Sequence, residues 1–304
     1  MNTPAWTYPE RRTLVLSKLA DYLELTKPRI AVLVLVTVAV AAYIGSWSVI
    51  SPMLYVHTLL GTALVAASAS ALNQLIERNT DAKMNRTADR PLPAGRLSQF
   101  EVLTFGLITI SVGIVYLMLA VNLTTACLGL LTWILYVLFY TPLKTRTPFN
   151  TVVGAVAGAM PVLIGWAAVD GSFWPSASGL KVATLFMIVY LWQFPHFMAI
   201  AWIYRKQYGD AGLQMLTVVD PSGQRAGLQA VLASLALLPI VLLPGIHNIG
   251  LMYLIGVIVL GLVYVYYSIN FLFNRNDAAA RRLLHASLIY LPAVMALFIV
   301  SPLV

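Results

Sequence analysis

Long apolar runs separated by short polar connections set the pattern of this chain. The stretches from Ile30 to Tyr43 and from Leu251 to Tyr267 contain no charged residue. A helix needs roughly 20 mostly apolar residues to cross a bilayer. Nine runs approach that length, over residues 30–50, 54–76, 101–121, 123–141, 151–169, 180–202, 227–246, 250–272 and 283–302. Turn signals fall between them at Ser51-Pro52, Pro142, Pro148, Asp220-Pro221-Ser222-Gly223 and Pro244-Gly245. In hydrocarbon the backbone must satisfy its own hydrogen bonds, which leaves helices or a closed barrel. A barrel would show short alternating segments, whereas these runs are continuous. The pattern predicts an all-α polytopic membrane protein with about nine transmembrane helices.

Composition agrees. Apolar residues make up 60% of the 304 and charged residues 10%, where a soluble domain is about a quarter charged. The net charge of +8 would suit nucleic acid, but the placement of the cations gives a better account. With the N-terminus inside, 18 of the 19 Lys and Arg fall in segments on the inner side and only Lys181 falls outside. Cytoplasmic loops carry that excess. The loops around residues 85, 146, 215 and 278 are therefore expected inside, and no nucleic-acid role is expected. Cys127 is the single cysteine, so there is no intrachain disulfide. Met1 to Lys27 is polar and mixed, without the short apolar core of a signal peptide. It is expected to be a cytoplasmic segment of one domain spanning residues 1–304.

Two inner connections are long and polar, Asn73 to Ser98 and Tyr204 to Arg225. In the first, Asn73, Glu77 and Asp81 are four apart, which stacks them on one helix face. Two carboxylates at that spacing repel unless a cation lies beside them. Acidic and amide oxygens suit Mg2+, which takes one or two carboxylates together with substrate phosphates. Lys83, Arg86 and Arg90 follow, as a diphosphate leaving group would need. The plainer reading is a solvated loop with local pairs, Arg78 with Asp81 for instance.

These residues carry a resemblance. Asn73-x3-Glu77-x3-Asp81, followed by Lys-Met-x-Arg-Thr and Arg-Pro-Leu, resembles the first acidic motif of the UbiA superfamily of intramembrane prenyltransferases. Tyr140-Thr-Pro-Leu-Lys144 resembles its Tyr-x3-Lys element. The stretch Thr147 to Pro161 and the string Trp192-Gln-Phe-Pro-His196 resemble the branch that farnesylates heme. The likeness covers roughly residues 18–300. It implies a UbiA-type bundle in a bacterial cytoplasmic membrane, or a mitochondrial inner one, with its site on the cytoplasmic side. It implies farnesyl diphosphate as donor, heme B as acceptor, Mg2+ as cofactor, membrane lipid as surroundings and a downstream heme-modifying enzyme as a possible partner. Asn73, Glu77 and Asp81 would hold the metal and act in catalysis with Lys144. Lys83, Arg86, Arg90, Tyr140, Lys144 and Arg146 would bind the diphosphate.

Two departures stand out. The branch usually has a third carboxylate where this chain has Asn79. The superfamily's second acidic pair would fall at Tyr204 and Tyr208, and neither is acidic. That loss is typical of the heme branch. It argues against the nearest alternative, a prenyltransferase for a quinone precursor or chlorophyllide. In the second connection His196 is either a hydrogen-bonded packing residue or a heme ligand. Arg205 and Lys206 could pair with propionates. Nine residues of helix separate His196 from Arg205, roughly 13 Å at ~1.5 Å per residue and comparable to a porphyrin's width. Tyr208 joins them as a heme contact. His57, His247 and His285 receive no role, and Asp170 and Asp220 read as loop or cap residues. Arg96 is expected to be peripheral. A transporter or heme-handling protein is the alternative of another class. Transporters tend to place ionisable groups at mid-membrane, whereas nearly all the charges here lie on one side.

Overall fold

The computed structural model describes residues 11–46, 51–169, 177–243 and 250–300. Its elements are helices: α1 Arg11–Leu25, α2 Pro28–Ser46, α3 Pro52–Asp81, α4 Gln99–Ala120, α5 Leu123–Ile134, a wide π turn Leu135–Tyr140, α6 Thr141–Leu143, α7 Asn150–Val169, α8 Ala177–Ile203, α9 Arg205–Asp210, α10 Leu216–Val219, α11 Gln224–Leu242, α12 Leu251–Asn274 and α13 Asp277–Val300. Among the described residues nine helices are long and apolar enough to cross a membrane, counting α5 through α6 as one. The fold is all-α and the protein spans the membrane many times. Asp170, His247 and the Pro244-Gly245 turn lie outside the described residues.

Apolar side chains point both inward and outward. Leu119 and Phe273 are about three-quarters exposed, at 77% and 74%, as lipid-facing residues are. The most enclosed helix is α7, whose Gly154, Ala155, Ala157, Gly158, Ala159 and Gly165 keep it slim. Without a hydrophobic drive between helices in lipid, close backbone approach supplies the packing. A Cβ on Gly165 would collide with the Val38 carbonyl of α2, so that crossing requires glycine. Helix α7 packs on α2 and α8, α3 on α4, and α8 on α11 and α13.

Three features depart from the hydropathy boundaries, all at the polar end of the bundle. Helix α3 is 30 residues long and continues to Asp81, so part of the expected first loop is helix. Helix α13 begins at Asp277, six residues before its apolar run. The polar segment before the first span contains α1, which lies outside the nine spans. Its Leu19 and Leu23 are exposed while Leu25 is fully buried against Ala71, Leu92, Leu97 and Val102. Ser98 and Glu101 form a reciprocal capping box at the start of α4. Asp220 accepts from the backbone N–H of Ser222 and Arg225 at the start of α11, the cap role its sequence suggested.

Candidate active site

The last three turns of α3 carry Asn73, Glu77 and Asp81 on one face. Asn73 and Asp81 are each 1% exposed. A buried acidic row is unfavourable unless cations answer it, and three do. Lys144 Nζ lies 2.7 Å from Glu77 Oε1. Arg90 Nη1 lies 2.6 Å from Asp81 Oδ2. Lys27 Nζ donates to Asn73 Oδ1 at 2.8 Å, and the Asn73 amide donates in turn to Thr141 Oγ1 at 3.1 Å. Arg78 does not pair with Asp81; it donates to the Leu75 carbonyl. Asn79 is exposed. Two residues from both Glu77 and Asp81, it is about 200° around the helix from the row, so its lack of charge leaves the row intact.

Each cation has a distinct local cause. Lys27 joins α1 to α2 with a left-handed backbone, φ 50°, uncommon for a residue with a side chain. Pro28 disfavours helical geometry in the residue before it, so α1 ends there and α2 starts in a new direction. Lys144 follows the π turn Leu135–Tyr140. Pro142 has no N–H and its ring would crowd the carbonyl four residues back, and the wide turn absorbs that conflict. Thr141 N–H and Oγ1 both donate to the Tyr136 carbonyl across it. The ammonium of Lys144 also sits 4.6 Å from the centre of the Tyr140 ring. Arg90 comes from the turn-rich connection 82–98.

Charge is unevenly shared among the three. Burial opposes the Lys144 ammonium, but Glu77 and the Tyr140 and Tyr136 rings outweigh it and raise its pKa. Burial and then repulsion from Arg90 act on Lys27 and lower it to about 7, against the attraction of Glu77. Two carboxylates with three surrounding cations leave room for anionic substrate. The donor set is one amide and two carboxylate oxygens, and Asn73 Oδ1 already faces a cation. Hard oxygens of that kind fit Mg2+. Among the described residues no group of three or more His, Cys, Asp or Glu forms a richer metal cage.

The second polar connection forms the adjoining wall. Gln214 N–H donates to the Lys144 carbonyl at 2.6 Å, and Asn150 Nδ2 donates to the Gln214 carbonyl at 3.1 Å. Tyr208 is buried with Met84, Ala201, Ala211 and Leu213. The Arg86 guanidinium lies 4.7 Å from the Tyr204 ring centre. Burial pushes the Tyr208 phenol up, with Arg86 and Lys144 acting the other way. Tyr204 and Tyr208 thus pack against the cation-bearing loop.

His196 and Arg205 face elsewhere, toward α13. His196 Nδ1 is 2.8 Å from Ser287 Oγ, and its ring stacks on Trp192. Ser287 gives its own proton to the Leu284 carbonyl at 2.6 Å. The hydroxyl oxygen is then the acceptor, His196 Nδ1 carries the hydrogen, and Nε2 keeps a free lone pair. Arg205 donates to Asp277 at 2.8 Å and to the Trp202 carbonyl at 2.6 Å. Asn73, Glu77, Asp81, Arg90, Tyr140 and Lys144 are thus gathered in one place, with Arg86 and Tyr208 beside them. Lys83, Arg146 and Lys206 are exposed, as Arg86 is. Lys27 and Thr141 belong to the site, although sequence reasoning did not assign them. The Lys27-Pro28 break at the start of an apolar run was the available signal for Lys27.

A sequence model of the UbiA prenyltransferase family matches residues 34–295. Among curated proteins, the protoheme IX farnesyltransferase of Solibacter usitatus is 42% identical over 92% of this chain and 98% of its own length. That of Rhodopirellula baltica is 41% identical over 90% and 96%. Among solved structures, a digeranylgeranylglyceryl phosphate synthase superposes with a TM-score of 0.78 at 20% identity, over 93% of this chain and 98% of that one. A UbiA homolog from Archaeoglobus fulgidus, bound to DMAPP and Mg2+, superposes with a TM-score of 0.62 at 17% identity, over 92% and 100%. In sequence and in fold, this chain belongs to the UbiA prenyltransferase family and is a membrane enzyme that transfers a prenyl group.

Proposed function

We propose that this enzyme joins the farnesyl group of farnesyl diphosphate to a vinyl group of heme B, with addition of water. The observation that carries the donor half is the buried row Asn73, Glu77 and Asp81 interleaved with Lys27, Lys144 and Arg90. The acceptor is supported by the relatives' activity as protoheme IX farnesyltransferases and by tyrosines where other superfamily members have a second acidic pair. The His196 Nε2 lone pair supports it as well. The site is taken to face the cytoplasm of a bacterial inner membrane, following the cation asymmetry, and the whole chain is taken as one catalytic domain.

Asn73, Glu77 and Asp81 would hold Mg2+, which when bound supplies charge neutralisation to the diphosphate. Lys144, Lys27, Arg90 and Arg86 then offer N–H donors to the phosphate oxygens as negative charge grows there. The allylic C–O bond breaks and its electron pair leaves with pyrophosphate. Tyr140 and Tyr136, their ring centres 5.3 Å apart and their planes tilted by 45°, present ring faces suited to the allylic cation. The vinyl π electrons form the new C–C bond to the farnesyl carbon. The cation left beside the porphyrin takes the oxygen of water, and the water's proton is released. Enclosure by lipid and helices keeps water from the first cation until the bond has formed. His196 would ligate the heme iron, with Ser287 fixing the tautomer, and Arg205 and Lys206 would meet propionates.

The test is direct. The purified full chain in lipid nanodiscs is given farnesyl diphosphate, heme B and Mg2+, and the heme product is weighed. A mass gain of one farnesyl group plus one hydroxyl is expected. Preference for a phenolic acid over heme would overturn the acceptor, and prenyl-independent substrate flux in vesicles would overturn the reaction class.

A further inference from the structure

We propose that Arg96 is a positioning residue for the donor diphosphate, acting through the two cations that it sets in place, Lys27 and Arg90. The inference rests on the donor-site reading above and extends it to a residue outside the acidic row.

One guanidinium ties together the two segments from which those cations come. Arg96 Nε donates to Asp21 Oδ1 at 2.7 Å and Nη2 to Glu24 Oε2 at 2.7 Å, both on α1. Nη1 donates to the Asp89 carbonyl at 2.7 Å. Glu24 is three residues before Lys27, and Asp89 immediately precedes Arg90. A rigid planar fork holds such partners in fixed relative geometry, which a lysine cannot do.

The surrounding packing gives that fork a fulcrum. Leu25 is fully buried, and its carbonyl accepts from Gln74 Nε2 at 2.9 Å, so α1 is anchored to α3 one residue after Glu24. Lys18 pairs with Glu101 at 2.6 Å, tying the middle of α1 to the start of α4. Between these anchors and the site stands the left-handed Lys27, a conformation that persists when its surroundings impose it. Swinging α1 away would move Lys27, and loosening the Asp89 carbonyl would move Arg90. Exposed ion pairs add little to stability, and Arg96 is 39% exposed. Its removal should therefore leave the fold standing and appear in donor binding.

The experiment uses the full chain in nanodiscs. Equilibrium binding of farnesyl thiolodiphosphate, a non-cleavable donor analogue, is measured beside steady-state kinetics for wild type, Arg96→Ala and Arg96→Lys. We expect Arg96→Ala to weaken analogue binding and raise the donor KM roughly tenfold, the scale of one charged hydrogen bond, with the acceptor KM unchanged. Arg96→Lys should recover only part of this. Asp21→Asn with Glu24→Gln should reproduce the loss, and it replaces Arg96→Ala should that variant not fold. In a Lys27→Ala, Arg90→Ala background, Arg96→Ala should have no further effect on analogue binding. An equal further loss in that background, or unchanged binding in both the Arg96→Ala and Asp21/Glu24 variants, would overturn the proposal. Asp81→Asn runs in parallel: if it too leaves donor use intact, the donor-site reading itself fails, and if it alone is impaired, only the role of Arg96 fails.

Discussion

The two long polar connections at this end of the bundle solve opposite problems. The first, at the end of α3, buries carboxylates and surrounds them with Lys27, Lys144 and Arg90. The second, after α8, buries phenols and apolar side chains, with Tyr208, Ala201, Ala211 and Leu213 gathered around Met84 of the first. A charged row is suited to exchange its cations for a metal and a diphosphate, because each of its three side chains already sets one oxygen against a cation. An aromatic wall cannot do that; it offers flat, low-charge surface, with the Arg86 guanidinium over the Tyr204 ring. Under the function proposed above, the charged leaving group would bind on the first side and the large flat acceptor on the second.

The sharpest way to break that contrast is to neutralise the row. Asp81→Asn and Glu77→Gln should each lower turnover on the order of 10²–10³-fold, the usual size of a lost transition-state charge contact. Product mass spectrometry at saturating Mg2+ reads this directly, and near-normal rates in both would move the donor site elsewhere. Lys144→Ala should come next, raising the donor KM by roughly ten- to a hundredfold at one to two decades per charged hydrogen bond. A rise in the acceptor KM instead would erase the distinction between the two connections. His196→Ala tests the acceptor side: the Soret band seen on heme titration should shift and binding weaken by roughly tenfold, the worth of one strong ligand contact, with donor affinity kept. Arg205→Ala should act in the same direction but more weakly, since Arg205 is engaged with Asp277. Tyr208→Phe should be the mildest, removing only a buried hydroxyl from an otherwise apolar cluster. A change in turnover beyond about tenfold would make that phenol a participant rather than a wall.

How far the sequence carried depends on the range of the cause. The spans were legible because hydropathy over 20 residues is a local property, and the nine runs match nine helices to within a few residues at most ends. The row on α3 was legible because spacing of four fixes a face once the segment is a helix. Lys27 was not assigned to the site because its place depends on α1, a helix that leaves Leu19 and Leu23 uncovered and is held by contacts with residues far along the chain. Arg96, expected to be peripheral, instead bridges residues more than 70 positions away, and no periodicity records such a bridge. His196 and Arg205 were expected on one helix, but α8 ends at Ile203 and Arg205 opens α9, with Tyr204 as the break between them. Their shared orientation toward α13, rather than toward the acidic row, is a matter of helix packing that their spacing alone does not fix.

The wide turn at Leu135–Tyr140 acts as a phase offset near the polar end of the fourth span. An ordinary helix advances about 100° and ~1.5 Å per residue, and a wide turn carries an extra residue without that advance. Everything after it, Thr141 and Lys144 included, is therefore indexed one step differently from the lipid-facing residues before it. Shortening this stretch by one residue would leave the hydropathy of the span almost untouched, yet it would turn the Lys144 ammonium about a quarter-circle away from Glu77. The span would still cross the membrane, while its polar end no longer met the acidic row.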